Sequence, residues 1–282
     1  MPLISSVNIA GRNQTTVVDV YRADSALATL TTAAGGIIDT GADFRTQTLP
    51  VIADTTDVVP VDEGANKTIS DATVTTPKYN VKLWPLFRAV TEQYEDNKDP
   101  ADLAAETVGA MAPRFPIGFD KYYMDLIIAG ASVTEVVFNP AAGVTSLKSV
   151  LAEFTTTSFA ADGFALTRKG VNELGYNVDG QNLRNDLTQA TGVTTATTGA
   201  VLANKGANSV LGLIGPHGQS AISIASGMSM VRMAEATIDG KGPRNGYVNY
   251  RGQMAMGWGN AQATNEDLSI DGAGWVVLTL AP

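Results

Sequence analysis

Apolar positions recur every four residues from Leu103 through Thr107, Met111, Phe115, Phe119, Tyr123 and Ile127, with Val108, Tyr122 and Leu126 beside that row. This spacing predicts a long helix over 102–129, about 40 Å in length if continuous. Asp99 supplies a capping side chain and Pro100 a first helical position. Pro113 and Pro116 interrupt the row. Each removes an amide donor and crowds the carbonyl four residues back, so the pattern predicts a kink or two abutting helices. The apolar stripe itself reads as core.

Upstream the period changes to two. Runs at Thr48–Ile52, Asp57–Val61, Ala72–Thr76 and Tyr79–Leu83 are β-prone, with turn residues at Glu63–Asn66 and at Ser70 and Asp71. They predict strands joined by a long hairpin or extended loop, and an ordinary meander within one sheet fits the same pattern. Residues 1–44 are polar and rich in Thr and Ala, with short β-branched pieces at Thr15–Val20 and at Ile37 and Ile38. They read as an arm that needs a partner surface.

Downstream, a strand is expected at Val133–Phe138 and a short amphipathic helix at Leu147–Phe154, followed by a polar boundary at Thr155–Ser158. A buried strand over 161–166 should lead into a helix, Arg168–Leu174, closed by Gly175. Gln189–Asn208 is almost uncharged and low in complexity, which suits an exposed loop or an extended interface strand. Leu211–Ile224 and Met228–Ala236 return to core-like sequence, Asp239–Gly246 is a long turn, and Trp275–Leu280 is a closing strand. No repeat of 20 to 50 residues is present.

Composition narrows the chemistry. With 282 residues, 44% of them hydrophobic, and no cysteine, the chain folds on a core of its own rather than on disulfides. A formal net charge of −9 argues against a general phosphate-neutralising surface. No apolar run approaches the ~20 residues of a spanning helix. His217 is the single histidine, so histidine and cysteine metal sets are absent, and Pro216–Gly218 reads as a turn rather than part of a catalytic triad. No phosphate-binding loop occurs, and the glycines at 257, 259, 272 and 274 lack a strand-to-helix dinucleotide context. Residues 37–43 (Ile37 to Asp43, around Asp39, Thr40 and Gly41) resemble the catalytic loop of retroviral-type aspartic proteases, whose paired carboxylates activate water. The chain has no second copy of the motif, so Asp39 could act only in a dimer.

The order of features from Arg45 to Gly130 is similar to the major capsid proteins of tailed bacteriophages with the Hong Kong phage shell fold. The resemblance is carried by Arg45–Val51 with its Pro-Val step, Val58–Ala65 with Glu63 and Gly64, the turn at Ser70–Thr73, and Val81–Glu92 as the strand leaving the extended loop. Glu92–Asp102 resembles the acidic entry to the spine helix, and Asp120, ten residues before Gly130, the acid near its end. Gly163–Leu174, Leu213–Ile222 and Val248–Ala263 look more loosely like axial-domain segments. At Gly257, Gly259 and Asn260 the return strand departs from the charged residues of that pattern.

The resemblance implies an α+β phage major capsid fold: an N-terminal arm (1–44), an extended β-hairpin loop with flanking strands (45–90), a peripheral domain with the spine helix (91–160), an axial domain (161–250) and return strands to the peripheral domain (251–282). It implies a structural, non-enzymatic subunit that self-assembles into pentamers and hexamers of an icosahedral shell around phage DNA. Loop residues would lap over neighbours and 189–208 would lie towards the symmetry axes. Expected interface residues are Val58, Glu63, Gly64, Lys67, Lys78, Glu92, Thr194 and Thr195. Lys67 and Lys78 are the only local lysines for the Lys–Asn weld of some members; no Asn or Glu partner is placed, so the weld is not carried over. Implied partners are other copies of the chain, a separate scaffolding protein, a portal, decoration proteins, and DNA bound without sequence preference. No cofactor and no membrane is expected, and the location is the virion capsid, assembled in the host cytoplasm. An encapsulin-type compartment is the close alternative, and a dimeric protease using Asp39 the distant one.

Overall fold

In the computed structural model, residues 25–40, 46–49, 51–53, 73–142, 161–175, 185, 192–233 and 235–282 are described. The first element among the described residues is a helix, α1 (Ala26–Ala33), whose N-cap Ser25 accepts a hydrogen bond from the amide of Ala28. Ala26, Leu27, Ala28 and Leu30 are buried in the main core. This helix packs into the subunit's own core, whereas the expectation for 1–44 was an arm that needs a partner surface. Small residues let α1 sit close to its neighbours, and Gly35, at φ 81°, turns the chain into strand β1 (Ile37–Thr40).

A two-stage antiparallel ribbon follows. Strands β2 (Thr46–Thr48) and β5 (Lys78–Asn80) pair at its base, and β3 (Val51–Ala53) and β4 (Thr73–Thr75) pair further out. Among the described residues the two strand pairs hydrogen-bond to no other strand, so they form a ribbon separate from the larger sheets rather than a meander in one sheet. The expected strand Asp57–Val61 lies outside the described residues.

Strand β6 (Lys82–Thr91) then enters a four-stranded sheet, and α2 (Glu92–Asp96), α3 (Pro100–Met111) and α4 (Arg114–Ala129) complete the helical layer. The long helix is thus two abutting helices parted at Ala112 and Pro113. Pro116 falls in the first turn of α4, where amides have no intrahelical acceptor, so its missing donor costs little. The apolar row does what its period predicts: Phe115, Phe119, Tyr123, Met124, Ile127 and Ile128 of α4 are all buried. Fully burying such side chains stabilises by roughly 1.5–3 kcal/mol each.

The remaining strands are β7 (Thr134–Phe138), β8 (Gly163–Leu166), β9 (Thr194–Thr197), β10 (Ser209–Gly215), β11 (Ser220–Met233), β12 (Tyr247–Asn260) and β13 (Val276–Leu280), with helix α5 (Arg168–Glu173) after β8. Two sheets result, ordered β1-β11-β12-β6 and β7-β13-β10-β8-β9. In β10, Val210 and Leu213 face the main core while Leu211 and Ile214 face a second one, so the five-stranded sheet is apolar on both faces. The expected helix Leu147–Phe154 lies outside the described residues.

The strands of the C-terminal half divide between the two sheets. β11 and most of β12 belong with β6 in the four-stranded sheet, whereas the closing strand β13 pairs with β10 and β7 in the five-stranded one. The core-like run 211–224 is two strands, because Pro216 cannot donate to a ladder and a 3₁₀ turn, His217–Gln219, reverses direction there. The glycines of β12 have a steric reason. A Cβ on Gly257 would lie 2.7 Å from the carbonyl oxygen of Asn80, and one on Gly259 2.3 Å from the Tyr79 ring. Only glycine lets the hairpin base cross this strand.

Candidate assembly surface

A fully buried carboxylate joins three distant segments. Asp120 on α4 accepts hydrogen bonds from Ser25 Oγ (2.6 Å), the amides of Ala26 (2.8 Å) and Leu27 (3.4 Å), and Thr198 Oγ1 (2.8 Å). It faces the N-terminus of α1, where the helix dipole favours negative charge. Burial pushes its pKa up to about 6, and the four donors hold back a larger rise.

From Thr198 the chain runs as a strap along α4. Lys121 Nζ donates to the carbonyl of Val201 (2.9 Å), the amide of Ala203 donates to Asp125 (2.7 Å), and Lys205 Nζ donates to the carbonyl of Ile128 (2.6 Å) at the helix C-terminus. Residues 198–205 are therefore bonded to α4, and the expected exposed loop or extended strand over 189–208 is, among the described residues, a strand at 194–197 followed by this strap. Thr194 and Thr195 lie in β9, the outer strand of the five-stranded sheet, paired in parallel with Gly163 and Phe164.

The four-stranded sheet has one face on the core; its other face is covered at the hairpin base, where Tyr79 bonds Ser223, and is open around Phe87 and Val231. On the open face Leu83 is 50% exposed, Phe87 44% and Val231 41%. Arg251 of β12 lies directly between Phe87 and Val231 in the strand register, its Nε buried and without a hydrogen-bond partner. β6 forms the sheet margin and carries Pro85, Lys82 and Arg88, features that discourage unspecific edge pairing. The open part of this face and the separate ribbon are the two features a lone globular protein would cover. None of these face residues was singled out from the sequence. The signal was nevertheless present, because residues 83–87 are apolar in both phases of the strand period, the mark of a strand meant to be covered on both sides.

Of the expected interface residues, Val58, Glu63, Gly64 and Lys67 lie outside the described residues. Lys78 sits at the hairpin base, paired with Thr48, and its amide donates to the carbonyl of Asn265. Glu92 starts α2, exposed, with its amide bonded to the carbonyl of Gly246. The described ones, Lys78, Glu92, Thr194 and Thr195, lie on three separate elements. Asp39 is exposed in strand β1 opposite Ser223, and the rest of the motif, 41–43, lies outside the described residues. His217 is fully buried against Trp275, not displayed in a cleft. No group of His, Asp or Glu suited to a metal ion occurs among the described residues, and no helix among them is long and apolar enough to cross a membrane.

Comparison with solved structures accounts for this architecture. A structure from Microbacterium phage Oxtober96 matches with a TM-score of 0.61 at 14% identity, over 91% of this chain and 91% of that one. The capsid of a native GTA particle matches with a TM-score of 0.54 at 12% identity, over 90% and 91% of the two chains. The fold is that of phage capsid chains. A virus-like particle from Pyrococcus furiosus shares it, with a TM-score of 0.52 at 13% identity over 95% of this chain and 98% of that one. No protein-family profile and no curated protein matches the sequence. The shared fold covers 90–95% of this chain at 12–14% identity.

Proposed function

We propose that this chain is the structural subunit of an icosahedral shell, assembling as pentamers and hexamers that enclose phage DNA. The observation that carries the reading is the near-complete overlap with chains from a phage and a capsid, at both ends of the alignment. Physical support comes from the separate ribbon, whose described strands pair only with each other, and from the open apolar sheet face around Arg251. The sheet face loses exposed apolar area when copies pack together, and many modest contacts add up multivalently in a closed shell. Hairpin residues, including Val58, Glu63, Gly64, Lys67 and Lys78, lap over neighbours in this reading, and Glu92, Thr194 and Thr195 meet adjoining copies.

The location is the virion capsid, with assembly in the host cytoplasm. A separate scaffolding protein, a portal and decoration proteins complete the particle, and the DNA is held without sequence preference, consistent with the net charge of −9. An encapsulin-type compartment is the second reading, favoured by the likeness to the Pyrococcus furiosus particle. The role is structural in this reading; the protease alternative needs a second copy of the chain to bring a carboxylate beside Asp39.

Expression of the chain alone, followed by negative-stain electron microscopy and sedimentation, tests the proposal. Closed polyhedra or capsomer rings are expected, or shells once a scaffolding protein is supplied. A uniform small monomer or dimer under all these conditions refutes it. Packaged protein in place of DNA in particles from the native source selects the second reading.

A further inference from the structure

The chain passes from the five-stranded sheet to the four-stranded one through only four residues, Pro216–Gln219, between the end of β10 and the start of β11. The side chain at the centre of this link is the only histidine. His217 is fully buried, its ring edge-on to Trp275 at 4.8 Å, and the absence of a side chain at Gly163 makes its socket: a Cβ there would lie 2.4 Å from the imidazole Cδ2.

Three elements close on the same turn. The end of α1 packs against it so tightly that a Cβ on Gly36 would lie 2.7 Å from the carbonyl oxygen of Ser220, and one on Gly218 2.7 Å from that of Ala34. Asp162, preceding β8, accepts from the amides of His217 (2.6 Å) and Gly218 (2.8 Å). Asn260, at the end of β12, donates to the carbonyl of Pro216 (2.9 Å). The backbone of the turn is thus well satisfied, whereas neither imidazole nitrogen has a hydrogen-bond partner. A buried polar ring held without a partner costs free energy that an apolar ring would avoid.

We propose that His217 is a proton-sensitive pin in the link between the two sheets: neutral, its ring fills the socket and fixes the sheets and α1 together, and charged, it leaves the socket and the link opens. The surroundings offer the charged ring nothing. α1 carries no ionisable side chain, β13 contributes Trp275, β12 contributes Asn260, β11 contributes Ser220, and the carboxylate of Asp162 is engaged by two backbone amides. Burial accordingly drives the imidazole pKa down to about 3. The sign follows from linkage. The open form binds the proton at an ordinary histidine value, about 6.5, and the closed form only far lower, so acid favours opening. Between pH 7 and pH 5 the opening equilibrium should rise roughly 25-fold on those values. Asp120, at the other end of α1, titrates with the opposite sign, and comparison at equal pH between variants that share it removes its contribution.

Amide hydrogen exchange of the full-length protein, read by mass spectrometry and corrected for intrinsic exchange, tests the pin. For peptides covering 25–40 and 209–224, the ratio of opening in the wild type to that in His217→Phe, where an uncharged ring occupies the socket, should rise roughly 25-fold from pH 7 to pH 5. The raised carboxyls Asp120 and Asp162 are common to both proteins and cancel in that ratio. A ratio that does not change with pH overturns the proposal. Should the variant fail to fold, exchange of the C2 proton of the sole histidine reads its charging directly in the wild type. A midpoint far below 6.5 that recovers in urea supports the pin, and a native midpoint near 6.5 overturns it. These readouts report on the subunit whether or not it forms shells, so their failure is separable from failure of the shell reading.

Discussion

Replacing Asp120 with alanine should destabilise the subunit by about 2–5 kcal/mol at pH 7. The substitution orphans three close donors, from Ser25, Ala26 and Thr198, and one longer one from Leu27. Each buried donor left without an acceptor costs about 1–3 kcal/mol. Against this stands relief of a buried charge. A shift from 3.8 to about 6 corresponds to about 3 kcal/mol of penalty on the ionised form, which the variant no longer carries. The pH dependence gives a sharper signature than the magnitude. Because the folded pKa is raised, the folded wild type takes up a proton before the unfolded chain does, and Asp120 contributes more stability as pH falls from about 6 towards 3.8. The gap between wild type and Asp120→Ala should therefore widen by about 1 kcal/mol between pH 7 and pH 5. Urea unfolding of unassembled subunits, followed by tryptophan fluorescence at both pH values, measures it. A variant within about 0.5 kcal/mol of wild type at pH 7, or a gap that narrows on acidification, would show that Asp120 does not latch α1 and the strap to the spine helices.

Phe87→Asp, on the open sheet face, should leave the denaturation midpoint of the free subunit nearly unchanged while abolishing particles in sedimentation; normal particles would remove this face from the assembly surface. Gly259→Val should cost about 1–3 kcal/mol or more, since its side chain must displace the Tyr79 ring, and a thermal melt matching wild type would contradict the tight crossing at the hairpin base. Deleting residues 1–24 should preserve the subunit fold yet block shell closure, whereas deleting 1–30 should unfold it by removing Leu27 and Leu30 from the core. Circular dichroism and electron microscopy of the two truncations distinguish these outcomes.

Local pattern made a good part of this molecule legible. The four-residue apolar row located both spine helices, and Pro113 announced their break, because helix periodicity and proline's missing amide are properties of the chain itself. Short runs of one period, such as 133–138, 161–166 and 275–280, likewise marked strands within two residues of their observed bounds. The ordered set of features from Arg45 to Gly130 was enough to suggest a capsid-type fold that overlap with solved structures then matched.

Other features were decided only by contacts between distant segments. α1 looked like part of a polar arm because Ser25, Thr31 and the alanines around them are not hydrophobic enough to declare a core helix. Their burial follows from Asp120, 94 residues away from Ala26, which accepts the helix's free amides. The strap 198–205 looked like a loop because its bonds run to the side chains and carbonyls of α4, and no residue type in it signals those partners. Gly257 and Gly259 looked like departures from a pattern until the hairpin base crossed over them. Periodicity along the chain sets which segments become helices and strands and which faces are apolar, since these depend on neighbours a few residues apart. Which sheet each strand joins, where a buried carboxylate finds its donors, and why the single histidine sits unpaired between two sheets are long-range packing outcomes, and only the tertiary structure determines them.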